Sequence, residues 1–304
     1  MLGAIQHWLG NPLPASVFEV SEAGVSLARL GPKSRLPEKL VFAALPAGAV
    51  EASPLRENVH NNDAFRAALA QAVAEAGPTR KREAALLLPD NCARVAVLDF
   101  ENLPSDARER LTLIRWRLKK AVPFDVDSAS VACQVQRANP AAKQFSVLVA
   151  VSPVEVVTQY EAAIRSLGLV PGFVAVSVTA ALNLVTSQSL TMLVKRAGRI
   201  LSVVLLEQGH VRLARTLDEG ALDDPLSEDR LREMAADLYP TFVYAADNFG
   251  SPVSRLILAG FGVSFPTARD VFRLELGYEA EALSGPQGLV ESHSAGIWGY
   301  LSAN

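Results

Sequence analysis

Val17-Phe18-Glu19-Val20-Ser21-Glu22-Ala23-Gly24-Val25-Ser26-Leu27-Ala28-Arg29-Leu30 holds two apolar, strand-like runs joined by a short polar turn that ends in glycine. In Val25–Leu30 the apolar residues fall at alternate positions, the period of a strand with one covered face. The same plan returns in the second half. Met192–Val194 begins a strand, Lys195–Gly198 reads as a turn, and Ile200–Leu206 continues. Gln208-Gly209-His210 turns again and Val211–Leu217 closes the set. A strand–turn–strand unit that opens each half predicts an α/β protein with two related lobes.

The intervening segments fill in that plan. A strand is expected around Leu40–Leu45. Asp63–Glu75 reads as a helix with Phe65, Leu69, Ala72 and Val73 on one stripe, stopped by Gly77-Pro78. Ala84–Leu88 is wholly apolar, as expected of a strand covered on both faces. Residues 92–170 predict β-α-β-β-α: a strand at Arg94–Phe100, a helix at Ser105–Ala121 with Ser105 as N-cap and Pro123 as stop, and strands at Val131–Val135 and Phe145–Val151. Ser152, Pro153 and Glu155 read as a capping box opening the last helix, which Gly168 stops. A strand at Phe173–Val178 and a helix at Thr179–Val185 precede the second hairpin. After it come an acidic loop at Asp218–Glu228, a helix at Asp229–Phe249 that Pro240 should kink or break, and a short buried strand at Arg255–Leu258. The chain therefore divides into residues 1–91 (first part of lobe 1), 92–170 (an inserted unit), 171–190 (return to lobe 1) and 191–304 (lobe 2, with a C-terminal helix returning to lobe 1).

Composition narrows the function. The 304 residues are half hydrophobic and one-fifth charged, the balance of a folded protein rather than a disordered one. A net charge of −3 argues against a general nucleic-acid binder, which neutralises phosphates with clustered Lys and Arg. Cys92 and Cys133 lack metal-type spacing and read as buried free thiols in a reducing compartment. No run approaches the roughly 20 apolar residues of a membrane span, and no signal-peptide pattern opens the chain, so it reads as cytoplasmic. Leu2, Ile5, Trp8 and Leu9 would share one face of a short helix in Met1–Gly10, either a membrane-surface helix or a partner contact or, better, a loosely packed leader. His7, His60, His210 and His293 stand in no metal-spaced or nucleophile-elbow context, and neither a G-x-S-x-G nor a P-loop occurs.

The duplicated hairpins with a βαββα insert resemble the actin-like (ribonuclease H-like) ATPase superfamily. Leu111-Thr-Leu-Ile-Arg-Trp-Arg-Leu-Lys-Lys-Ala-Val-Pro-Phe124, together with Val147–Leu169 and the small pair Ala295-Gly296, is similar to the type IV pilus assembly PilM family, and more distantly to the cell-division protein FtsA. The resemblance implies two facing loops that hold nucleotide phosphates. The first usually carries Asp with a Gly/Ser-rich turn, and here it is Glu19-Val20-Ser21-Glu22-Ala23-Gly24, with Glu22 where a polyanion would be repelled. The second usually carries Asp-Ile-Gly, and here it is Lys195-Arg196-Ala197-Gly198, with an ammonium in place of the carboxylate. The adenine-side turn is Gly260-Phe261-Gly262, where Phe261 is expected to crowd the site. The expected vestigial nucleotide cleft is thus Glu19, Ser21, Gly24, Lys195, Arg196, Gly198, Gly260 and Gly262. No catalytic residue and no metal site are expected, and ATP or ADP would bind, if at all, with little or no Mg²⁺.

The function implied by the resemblance is a cytoplasmic pseudo-ATPase scaffold at the inner membrane, forming a ring and gripping the N-terminal tail of a PilN-like membrane protein between the first lobe and the insert. Arg115, Arg117, Lys119 and Lys120 are the candidate contacts with that partner or with anionic lipid. The alternatives are a secretion-system paralogue of the GspL kind and an active ATPase or sugar kinase of the same superfamily, for which Asp99 or Asp218 would have to serve as base.

Overall fold

The structure, a computed structural model, describes residues 14–31, 36–79, 81–139, 144–220, 225–291 and 293–303, so the predicted leader helix lies outside it. β1 (Ser16–Ser21) and β2 (Gly24–Leu30) form a hairpin closed by Glu22-Ala23, and β3 (Pro37–Ala44) extends it. Helix α1 (Asn62–Ala76) starts at Asn61, whose side chain accepts from the Ala64 amide, and leads to β4 (Glu83–Leu88). After α1, β4 pairs parallel to β1. Then follow β5 (Arg94–Phe100), α2 (Ala107–Leu118), β6 (Ala129–Asn139), β7 (Gln144–Pro153), α3 (Val154–Ser166), β8 (Val170–Val176) and the short α4 (Ser177–Ala181). The first sheet has the order β3-β2-β1-β4-β8.

The second half repeats this. β9 (Thr191–Ala197), β10 (Ile200–Glu207) and β11 (His210–Asp218) form the antiparallel set, and α5 (Glu228–Phe249) leads to β12 (Arg255–Ala259), parallel to β9. Helix α6 (Phe265–Leu276), β13 (Ala280–Ala282) and α7 (Ala295–Ser302) complete it. The second sheet, β11-β10-β9-β12-β13, matches the first strand for strand. From Ala84 onward β4 is apolar and buried between α1 on one face and the α4–α7 layer on the other. Both faces being covered is why its sequence does not alternate.

Several local expectations change. Helix α2 is capped by Asp106, not Ser105: the Asp106 carboxylate accepts from the Arg108 and Glu109 amides, two of the orphan donors of a first turn. Ser152 caps nothing. It lies inside β7 and its hydroxyl donates to the Cys92 carbonyl, so strand pairing overrides the capping-box pattern. The inserted unit also ends earlier than residue 170. Helix α3 buries Val156, Tyr160, Ala163 and Ile164 in the core of the first lobe, leaving β5, α2, β6 and β7 as the excursion. Helix α5 runs unbroken through Pro240. Of the two thiols, Cys92 is buried while Cys133 is exposed on β6, an outer strand of the small sheet. Among the described residues no helix is long and apolar enough to cross a membrane.

Candidate functional site

Glu19 and Lys195 occupy equivalent positions in the two hairpins. Each is the third residue from the end of its opening strand, and each sits opposite a serine: Glu19 across from Ser26, Lys195 across from Ser202. Strand periodicity sends both side chains toward the junction of the lobes, where they are only 3% and 2% exposed. A charge withdrawn that far from water must be paired and hydrogen-bonded.

The Glu19 carboxylate sits at the N-terminus of α7. Its Oε2 accepts from the Ile297 amide at 2.9 Å, and Oε1 accepts from the Gly296 amide at 3.2 Å and from the Ser177 hydroxyl. Glu19 thus serves as an N-cap supplied from a distant strand, satisfying two orphan amides and facing the positive end of the helix. Gly296 permits this approach, because a methyl there would press on Ser177 Oγ and on the carboxylate itself. One turn later, a methyl on Gly299 would overlap the Ala180 carbonyl, so α7 lies directly against α4 only as glycine.

Lys195 has a partner that the sequence did not reveal. Its Nζ donates to Asp90 Oδ2 at 2.8 Å, and Ser202 Oγ donates to the same oxygen at 2.9 Å. Asp90 Oδ1 accepts from the Val178 amide at 2.7 Å, in the first turn of α4. Asp90 is 2% exposed and follows β4 in a short 3₁₀ turn after Pro89. A carboxylate following an all-apolar strand was the available signal, but only the tertiary structure brings it to Lys195. The pair crosses from one lobe to the other. Each carboxylate accepts three of the roughly four hydrogen bonds its oxygens can take.

The hairpin tips also meet. Glu22 Oε1 accepts from the Ala52 amide at 2.8 Å and lies 3.4 Å from Arg199 Nε, while Arg199 Nη1 reaches Asp218 at 2.7 Å. The turn of the second hairpin is therefore Gly198-Arg199, and Lys195 and Arg196 belong to β9 rather than to the turn. Arg196 is also buried, and its Nε donates to the Gly198 carbonyl. Gly198 faces Glu22, so the two tips approach with no bulky side chain between them. Ser21 donates to the Gly24 carbonyl within its own hairpin, and Gly24 lies beneath the Phe42 ring. Gly260 has φ +82° and lies against the Arg196 carbonyl, which leaves no room for a side chain, while Gly262 starts a 3₁₀ turn. Phe261 points away from the cleft into the second-lobe core, edge-on to Phe272 at 6.0 Å. It crowds nothing in the cleft.

The four basic residues at and just beyond the C-terminal end of α2 do not form one patch. Arg115 donates to the Val126 and Ala129 carbonyls, which fixes the loop after the helix. Lys119 pairs with Asp127 at 2.5 Å, and Lys120 lies over the Trp116 ring. Arg117 alone of the four lines a groove, and that groove runs between the insert and the second lobe rather than the first. Asp99 lines the same groove, whereas Asp218 lies across from Ile200 beside the second hairpin's turn, where it is ion-paired with Arg199.

This arrangement of paired lobes, hairpin tips and interlobe helices is the actin-like fold. A solved PilM–PilN type IV pilus biogenesis complex superposes with a TM-score of 0.77, at 17% identity, covering 96% of each chain. The chain is PilM-like in fold. A Bacteroides thetaiotaomicron protein of actin-like ATPase fold and unknown function matches at TM-score 0.54 with 10% identity over 95% of each chain. The cytoplasmic domain of EpsL, an inner-membrane component of the Vibrio cholerae type II secretion system, matches at 0.50 with 10% identity over 80% of each. No family model matches the sequence, and no curated protein does.

Proposed function

We propose that the chain is a non-catalytic assembly scaffold of the PilM kind, working in the cytoplasm at the inner membrane. In this role it holds the N-terminal cytoplasmic peptide of a PilN-like membrane protein, as one subunit of a homo-oligomeric ring. The shared fold with the PilM of a PilM–PilN complex, over nearly the full length of both chains, supports the partner class.

The observation that carries the non-catalytic half is the Lys195–Asp90 pair. Where the resemblance expects a carboxylate to hold a metal-bound phosphate, an ammonium is already neutralised by a buried acid. Glu19, the other expected metal-side group, is engaged by α7 and Ser177, and Glu22 closes the hairpin tips onto Arg199. Residues so engaged do not fit magnesium triphosphate: a polyanion entering between the tips would have to break the Glu22–Arg199 contact and face Glu22. The lobes are instead fastened by side chains alone, which gives a rigid body for docking.

Isothermal calorimetry with a synthetic peptide of the first 15 or so residues of the PilN-like protein encoded beside this chain tests the scaffold half. Saturable binding in the micromolar range is expected. Absence of binding at high peptide concentration contradicts it.

A further inference from the structure

The insert and the second lobe touch at one end of the insert sheet and part at the other. Val95, Val97, Leu148 and Ala150 pack with Val204, Leu206, Val211 and Ala214 of the second sheet. Gln136 fastens the seam, donating to the Val211 carbonyl at 3.0 Å while its Oε1 accepts from the Val211 amide at 2.7 Å. A side-chain amide here stands in for a neighbouring strand. Alongside this latch a groove of about 1240 Å³ opens between β5, α2 and the β10–β11 turn.

Three features of the groove go unexplained by the scaffold's own stability. Trp116 lines it and is 55% exposed, beside Phe100, Phe145 and Phe249. Asp99 and Glu101, at the end of β5, and Arg117, on α2, also line it, and none of the three is ion-paired among the described residues. Finally, β5 is an outer strand of the sheet β5-β7-β6, so one edge of its backbone ladder is paired by no described strand.

We propose that this groove binds an extended peptide segment of a second protein laid along β5. Its large apolar side chain rests against Trp116 and Phe249, with a basic residue toward Asp99 and Glu101 and an acidic one toward Arg117. A free strand edge supplies main-chain hydrogen bonds, and flanking pockets supply selectivity. Exposed aromatics are the usual anchors of such contacts. The mixed charges decide the class of partner: nucleic acid or an anionic lipid surface would meet Asp99 and Glu101 as like charges, whereas a peptide bearing both signs complements the walls. The site is built by the insert and the second lobe, so it is separate from the first-lobe seam assigned to the PilN-like tail, and it stands or falls independently.

The test is selection of random decapeptides displayed on phage against the full chain, followed by fluorescence anisotropy of the synthesised winners. Winners should carry an aromatic or large aliphatic residue flanked by opposite charges. They should bind Trp116→Ala at least tenfold more weakly. Arg117→Glu should lose the same peptides and gain affinity for versions whose acid is replaced by lysine. Both substitutions are at the groove wall, and unchanged melting temperatures confirm that the fold survives; Arg117→Glu serves alone if Trp116→Ala does not fold. No enrichment over an empty support, or winners that bind both variants as tightly as the parent, overturns the proposal.

Discussion

The two hairpins share backbone, register and even the serine across from the decisive residue, yet one carries Glu19 and the other Lys195. The two charges act on different helices. Glu19 caps α7 directly. Lys195 cannot cap a helix N-terminus, since it has no acceptor, and instead neutralises Asp90, which holds α4. In each case a carboxylate meets the first turn of one of the two helices lying between the lobes. Lys195 and Asp90 thus join the two lobes, while Glu19 holds α7 against the first-lobe sheet.

Breaking the second hairpin's pairing should have the largest effect. Asp90→Ala leaves Lys195 charged in a dry site and the Val178 amide without its acceptor. The expected loss is about 3–5 kcal/mol, read by urea unfolding. Adding Lys195→Met to Asp90→Asn should recover much of it, because the uncompensated ammonium is gone. If Asp90→Ala proves neutral, the pair is not the fastener described.

The first hairpin is expected to be the weaker of the two. Glu19→Ala strands two buried amides of α7 and the Ser177 hydroxyl, for a loss of roughly 2–4 kcal/mol. Hydrogen exchange should show the Gly296 and Ile297 amides opening first, while Glu19→Gln should retain part of the protection. Equal exchange in the wild type and Glu19→Ala would contradict the cap. At the tips, where Arg199 and Glu22 remain partly exposed, Glu22→Gln should cost less than about 1 kcal/mol. A larger loss would mean that the tips, rather than the buried pairs, hold the lobes.

The thiols sharpen the contrast between the sealed first lobe and the outer face of the insert. Burial pushes the Cys92 thiol up to about 12, and partial burial also raises that of Cys133, with Arg110 opposing. Since the thiolate is the reactive form and its fraction grows with pH, native protein at pH 8 should alkylate slowly at Cys133 and hardly at all at Cys92. Mass spectrometry after iodoacetamide decides it, and rapid labelling of Cys92 would show that the first lobe opens.

Much of the fold was legible because hydrophobic period and turn chemistry are local. The paired hairpins, the apolar β4 and most helices follow from them. Local patterns failed where a distant partner decided the outcome. Ser152 looks like a cap in sequence but is claimed by the Cys92 carbonyl. Helix α3 reads as part of the insert until its apolar stripe is seen filling the first-lobe core. Lys195 and Arg196 look like turn residues because charged side chains rarely lie inside a buried strand, and only Asp90 makes that placement affordable for Lys195. Glu19, Lys195 and Gly198 stand out in the sequence, but the partners that the structure gives them do not. Asp90 and Ser177 are separated from them by long stretches of chain, and neither these two nor Ser202, across the hairpin from Lys195, carries a motif.

Under the proposed function, Lys195 held by Asp90 takes the place of the cation a nucleotide would bring, and the cleft stays fastened without ligand. Equilibrium titration of a fluorescent ATP analogue with Mg²⁺ tests it most directly. No saturable binding is expected up to about 1 mM, with no rise in melting temperature, since a ligand that binds only the native state must raise it. Micromolar, magnesium-dependent binding that disappears in Glu19→Ala would contradict the account.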